Sequence, residues 1–225
     1  MLDPAVPVAT LVLDHSECAP VLARHRIDYC CKGQRPLADA CRDLGLDLPA
    51  VVGELETAIS RRAASAEPAI DPRTLPTRAL IVKVIAPHHQ YLHRTMPFLR
   101  TLASKVARVH GEREPSLREV ERLVEQLVET LGLHLAEEEA VLFPALIEGR
   151  VDEAGPLLRD MRREHEEVGE LLARLRAAAA DYAPPEWACN SYRTLMKELD
   201  VMEADTLEHV HVENHVLLPR YVPSA

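Results

Sequence analysis

The chain has 225 residues, of which 47% are hydrophobic and only 4% aromatic, with a formal net charge of −10. Few glycines and abundant Ala, Leu, Glu and Arg favour helices over sheets, and the acidity argues against nucleic acid or an anionic membrane as the main partner. No apolar run of about 18 residues is present, so no membrane-spanning helix is expected.

The opening stretch MLDPAVPVATLVLDHSE places Asp3 where a secretory leader needs positive charge, and two prolines interrupt its apolar run. A cytoplasmic location is therefore expected. The five cysteines, at 18, 30, 31, 41 and 189, are odd in number, irregularly spaced and lack a C-x-x-C pair. That pattern fits reduced thiols better than a disulfide framework or a zinc ribbon. Three short helical patterns follow: SECAPVLARHRI, then RPLADACRDLG with a stop at Gly45, then LPAVVGELETAISRR with Asp47 ahead of it. Residues 1–66 read as a small helical N-terminal domain, too small to be self-sufficient and suited to partner docking or homodimerisation. The stretch 63–76, AASAEPAIDPRTLP, reads as a linker.

Residues 77–225 carry four long helical patterns. The first runs over 77–109, with prolines at 87 and 97 expected to kink it. The second starts at a capping box, SLRE from Ser116, and runs to about 148. The third follows Gly155-Pro156 and the fourth follows Pro184-Pro185, ending near 217. Short connections make sequential neighbours antiparallel, which predicts an all-α, up-down-up-down four-helix bundle preceded by the small helical domain.

The second and fourth helices share a repeat. HLAEEEAVLFP begins at His134 and HVHVENHVLLP at His209, so His134, Glu138 and Pro144 recur 75 positions later as His209, Glu213 and Pro219. The first and third helices place His89 and His165 in matching positions, 76 apart. On a helix, residues i and i+4 share a face, and each of these histidines falls on an apolar stripe: Val82, Ile85, Leu92 and Met96 around His89; Leu131, Val141 and Leu142 around His134 and Glu138; Met161 and Val168 around His165; Met202 and Val216 around His209 and Glu213.

A single His-x-x-x-Glu is ordinarily a solvated surface pair, and a single inward His is ordinarily a satisfied core residue. Two carboxylates and four imidazoles aimed into one core are different, because desolvating a carboxylate costs several kcal/mol. A cation between them removes that cost. Mixed imidazole and carboxylate donors suit iron, manganese or zinc, and carboxylates that bridge suit a pair of ions. A ferritin-like site would need Glu-x-x-His twice, and only Glu208 with His211 offers it; the zinc-protease pattern H-E-x-x-H is absent.

These residues resemble the hemerythrin-like (HHE) domains. IDYCCKGQRPLADAC, with Cys30 and Cys31 adjacent, resembles the short domain ahead of the bundle in the iron–sulfur cluster repair di-iron proteins of the ScdA/YtfE-like type. The resemblance covers almost the whole chain in the right order. It implies metal ligation by His89, His134, Glu138, His165, His209 and Glu213. The implied cofactor is two non-haem iron ions, carboxylate-bridged and oxo- or hydroxo-bridged, each taking two His and one oxygen from each Glu, with room for an exogenous ligand.

His89 is preferred to His88, whose register is less apolar. His93 is either a fifth ligand, as in oxygen-carrying hemerythrins, or a rim residue, and the rim is preferred. His211 and His215 are expected at the surface, and His110 in a structural or exposed place. Cys30 and Cys31 are implied to receive or relay iron or nitric oxide, against the plainer expectation of one buried and one half-exposed thiol. Cys18, Cys41 and Cys189 are expected to be small apolar residues.

The implied function is repair of iron–sulfur clusters damaged by nitrosative or oxidative stress, by iron donation or nitric oxide binding, with iron–sulfur proteins as clients. One alternative is an oxygen or nitric oxide sensor or carrier without iron transfer. Another is enzymatic reduction of nitric oxide, for which no flavin or pyridine-nucleotide motif is evident.

Overall fold

Helix is the only extended regular structure among residues 2–64 and 70–222, which the computed structural model describes; the single bridge outside helices joins Pro7 to Pro36. The chain forms two units, one of Met1–Pro76 with Val210–Ala225 and one of Thr77–His209.

The first unit opens with a helix the sequence reading did not anticipate, α1 (Val8–Asp14). Pro4 and Pro7 lie ahead of it, where a missing N–H costs nothing, and Val8, Leu11 and Val12 are buried. The three expected short helices follow. They are the 3₁₀ turn Ser16–Cys18 with α2 (Ala19–Arg24), then α3 (Leu37–Asp43), then α4 (Leu48–Ala63). Two of them end alike. Arg26 at φ 57° lets Ile27 N–H reach Leu22 O at 2.9 Å, and Gly45 at φ 65° lets Leu46 N–H reach Cys41 O at 2.9 Å. Both bonds satisfy carbonyls that a helix end leaves open. Residues 65–69 of the expected linker lie outside the described residues; beyond them Asp71 caps the turn Pro72–Thr74 by accepting from Arg73 N–H at 2.9 Å.

The second unit is the bundle. Its first rod is α5 (Thr77–Leu80), a π turn over Ile81–Ile85 and α6 (Ala86–His110). Its second is α7 (Ser116–Glu137), a π turn over Glu138–Leu142 and α8 (Phe143–Glu148). The third is α9 (Val151–Ala178), and the fourth is α10 (Asn190–Val212), whose residues to His209 belong to this unit; its last residues and the π turn over Glu213–Leu217 belong to the first. Leu92 and Leu99 of α6, Leu127 and Leu131 of α7, Leu172 and Leu175 of α9, and Leu195 and Leu199 of α10 share one apolar core. Each such fully buried leucine contributes about 2 kcal/mol of transfer free energy.

The prolines explain the π turns. Pro87, Pro144 and Pro219 each stand two residues beyond one. Proline has no N–H to give residue i−4 and pushes that carbonyl away. The preceding residue instead bonds five back: Ala86 N–H to Ile81 O, Phe143 N–H to Glu138 O and Leu218 N–H to Glu213 O. The widened turn also shifts side-chain phase. Val82 and Val141, expected on the inner stripe, are 57% and 46% exposed.

Three helix starts differ from expectation. The SLRE box does not form, because Pro115 is already helical at φ −60°, ψ −25° and caps α7; Ser116 Oγ donates to Glu114 at 2.8 Å and Glu119 accepts from Arg122 instead. α9 begins at Val151, ahead of Gly155-Pro156, since Pro156 lies on the exposed side of the helix, where water can meet the carbonyl it frees. α10 begins at Asn190 because Pro185–Ala188 first closes a turn, Ala188 N–H to Pro185 O at 2.9 Å, seating Trp187 under the Arg113 guanidinium 4.0 Å away.

After α9, Ala180, Asp181 and Tyr182 all take φ of 50–57°, a conformation that costs about 1–2 kcal/mol per non-glycine residue. Tyr182 anchors this turn by donating its hydroxyl to buried Glu203 at 2.6 Å, while Arg176 donates to the other Glu203 oxygen at 2.7 Å. Tyr182→Phe, which leaves that oxygen short of a donor, is expected to lower stability by about 1–3 kcal/mol, read as a lower urea midpoint with an unchanged slope.

Candidate metal centre

Inside the bundle, each of four helices brings one buried histidine to a shared cluster. His89 of α6, His134 of α7, His165 of α9 and His209 of α10 are 3%, 6%, 0% and 0% exposed. They meet in pairs. His89 Nε2 lies 3.0 Å from His209 Nε2, and His134 Nε2 lies 3.1 Å from His165 Nε2. Glu138, the first residue of its π turn, stands between the pairs. One carboxylate oxygen is 3.4 Å from His89 Nε2 and the other 3.3 Å from His134 Nε2. Glu213, also the first residue of a π turn, is fully buried and follows His209 by one turn of the same continuous helix.

Two of the histidines are held from behind by carboxylates. His89 Nδ1 donates to Glu139 at 2.9 Å, and His134 Nδ1 donates to Glu164 at 3.0 Å. An ionised carboxylate has no proton to give, so the hydrogen sits on Nδ1. In the neutral ring this leaves the Nε2 lone pair directed inward, the arrangement found where a carboxylate orients a metal-bound histidine. Hydrogen bonding from His134, against the effect of partial burial, holds the Glu164 carboxyl below its ordinary range. For Glu139 burial pushes upward, and the bonds from His93 and His89 together outweigh it and leave the carboxyl low.

The donor set fits a metal. Two donors at right angles around an ion about 2.1 Å away would lie about 3.0 Å apart, close to the spacing in both Nε2 pairs. A buried carboxylate with an oxygen toward each pair offers one ligand atom to each of two positions.

The remaining expectations sort out as follows. His88 is not in the cluster; its Nδ1 bonds Asp205 at 2.8 Å while its ring stacks on His209. His93 lies at the rim, 47% exposed, with Nε2 2.9 Å from Glu139. His110 packs against Trp187 and Tyr192 and bonds Cys189 at 3.1 Å. Cys189 is exposed, so the expectation of a small apolar residue holds for Cys18 and Cys41 but not for it.

His211 and His215 correct the surface expectation. His211 is 3% exposed, donates from Nδ1 to the Tyr29 carbonyl at 3.1 Å, and is pushed down to about 4 by burial. His215 donates to the Cys30 carbonyl at 2.7 Å, and Asn214 reaches the same oxygen at 3.4 Å. This helix end, itself part of the first unit, thus spends its polar face on backbone carbonyls of that unit's Tyr29-Cys30 loop. Gly33 fits there because a Cβ would come within 2.4 Å of Tyr29 O and 2.8 Å of His215 Nε2.

Asp28 organises the cysteine pair. Its Oδ1 accepts from Cys30 N–H at 3.0 Å and Cys31 N–H at 2.8 Å, and from the Cys30 thiol at 3.3 Å. The two sulfurs are 3.5 Å apart, with Cys30 buried and Cys31 half-buried. The bond to Cys31 and then burial push the Cys30 thiol well above its ordinary range.

Comparison with known proteins agrees with this geometry. Residues 80–221 match the hemerythrin HHE cation-binding domain. The chain belongs to the hemerythrin HHE family. Ahead of that HHE match, residues 5–59 match the ScdA N-terminal model, a domain of unknown function. The chain is 31% identical over 213 residues to the iron–sulfur cluster repair protein YtfE of Yersinia pseudotuberculosis serotype IB (strain PB1/+), covering 95% of each. It is 33% identical over 197 residues to the protein of that name from Yersinia pestis (strain Pestoides F), covering 88% of this chain and 87% of the relative. The buried His and Glu cluster of this HHE chain fits a metal-binding site.

Sequence reasoning missed Glu139 and Glu164. The signal was present in their places beside Glu138 and His165, but acidic runs on helices are ordinarily solvated.

Burial also orders the thiols. Cys18 is pushed up to about 12 by burial, and burial raises Cys41 too. Iodoacetamide at pH 8 should label Cys189 first and Cys31 more slowly, sparing Cys18, Cys30 and Cys41 until the protein is unfolded. Peptide mass spectrometry reads the order.

Proposed function

We propose that this protein repairs iron–sulfur clusters by holding two iron ions in the bundle and yielding iron to damaged client proteins. The observation that carries the reading is the Glu138 carboxylate, which turns one oxygen to each histidine pair. His89 and His209 would hold one ion, His134 and His165 the other. Glu138 and Glu213 would bridge them, with an oxide or hydroxide completing the bridge. The relatives' printed name, iron–sulfur cluster repair protein, supports the same assignment.

The bound pair supplies exchangeable iron and open coordination positions. The chain supplies the rest. Glu139 and Glu164 fix the ring orientation of His89 and His134, and the leucine layers keep water from the inner carboxylate. The four histidines with Glu138 and Glu213 would hold ions able to pass to an apo-cluster, and the same positions would accept a small gas such as nitric oxide. Cys30 and Cys31, ordered by Asp28, would receive or relay iron or nitric oxide. The N-terminal unit would dock clients or a second copy of the chain, in a cytoplasmic setting that suits free cysteines. The oxygen-carrier alternative asks His93 for a fifth ligand, whereas its Nε2 is engaged by Glu139.

Protein purified anaerobically without added metal should contain about two irons per chain. Glu138→Leu should hold less than one, keep its helical circular dichroism, and fail to reactivate a cluster enzyme inactivated by nitric oxide. Equal reactivation by the two proteins would remove the donation mechanism.

A further inference from the structure

The two histidine pairs are backed unequally. Behind His134 stands Glu164, whose side chain is 27% exposed and whose second oxygen lies 3.6 Å from the Arg163 guanidinium. Behind His89 stands Glu139, 43% exposed. The single oxygen that Glu139 offers His89 is shared with His93 Nε2, also at 2.9 Å, and His93 is 47% exposed.

The chain geometry strengthens the contrast. Glu138 and Glu139 are consecutive at the head of one π turn. Glu138 faces Nε2 of His89 from inside and Glu139 takes Nδ1 from outside, so the π turn that follows α7 meets both edges of a ring carried by α6. Glu164 comes from α9, the helix that also carries His165. Hydrogen bonds open to water contribute less net free energy than shielded ones, because water replaces the partner at little cost. Loss of a carboxylate behind a metal-bound histidine typically costs 10–100-fold in affinity. The His89 ring therefore has the weaker outer hold.

We infer that Glu139, steadied by His93, is a solvent-facing latch on His89, and that the ion held by His89 and His209 is the one released first. This rests on the two-ion reading above. Glu139 and His93 are positioning residues, acting on the ion only through His89. The latch would give a repair protein a defined order of delivery, one ion available and one retained.

The test is metal release. Apoprotein is loaded anaerobically with about two equivalents of Fe(II) and mixed with excess ferrozine in a stopped-flow instrument. The wild type should release iron in two phases of equal amplitude. Glu139→Ala should speed the fast phase about 10–100-fold and leave the slow one within about twofold. His93→Ala should speed the same phase by less. Glu139→Gln, which keeps an accepting oxygen but loses the charge, should speed the fast phase less than Glu139→Ala, and Glu164→Ala should speed the slow phase. A single phase in the wild type, or equal acceleration of both phases by Glu139→Ala, overturns the latch and leaves the two-ion reading standing. Uptake of fewer than two ions by the folded wild type would instead remove the two-ion reading on which the latch depends.

Discussion

Glu138 keeps a carboxylate at 3% exposure in the middle of a helical bundle, and much of the structure around it answers that one cost. An isolated buried carboxylate costs several kcal/mol after relaxation, comparable to the whole net stability of many domains. Here each oxygen lies 3.3–3.4 Å from an imidazole Nε2 whose lone pair also points inward, while Glu139 and Glu164 hold the Nδ1 side of the same rings, so carboxylate and imidazoles together call for a cation between them. The leucines of α6, α7, α9 and α10 pack into one apolar core whose burial lets the bundle carry this polar level. Ionisable groups gathered and buried at one level of an otherwise apolar core are typical of sites kept for chemistry.

The prolines belong to the same design. A straight α-helix would carry Glu138 and Val141 on nearly one face. The π turn, imposed by Pro144 and recorded in the Phe143 to Glu138 bond, keeps Glu138 buried while turning Val141 outward. Pro219 imposes the equivalent turn headed by Glu213. The 75-residue repeat is thus a repeat of backbone form as well as of ligand type. Single π turns inside α-helices recur at functional sites because they re-aim side chains without ending the helix, and here a proline stands two residues beyond each one.

What could be read from the sequence was whatever depended on periodicity within one helix. The four inward histidines, the two His-x-x-x-Glu pairs, the bundle and the stop at Gly45 are all of that kind. What could not be read depended on partners far along the chain. Glu139 and Glu164 look like ordinary members of acidic runs until the neighbouring helices bring His89 and His134 against them. His211 and His215 have the spacing of a polar surface pair, and only the arrival of the Tyr29-Cys30 carbonyls makes them interior. The capping box failed for a local reason that sequence does carry, since Pro115 can itself adopt helical angles and move the helix start. α1 was hidden because its apolar run was weighed only as a leader.

Charge gives the last connection between the two shells. Four neutral imidazoles and the two proposed bridging carboxylates supply two negative charges to a pair of divalent ions, leaving an excess of two positive charges in a region of low dielectric. Glu139 and Glu164, one behind each histidine pair, supply the two negative charges that balance it. With both ions trivalent, the same balance requires one further dianion, which an oxide bridge provides. The outer carboxylates would therefore do more than aim rings, since they would let a divalent pair sit in the core at no net charge. Departure of one divalent ion from such a site would leave net negative charge behind, a cost that solvent reaching the carboxylates would lower. Of the two outer carboxylates, Glu139 is the one that solvent reaches more readily.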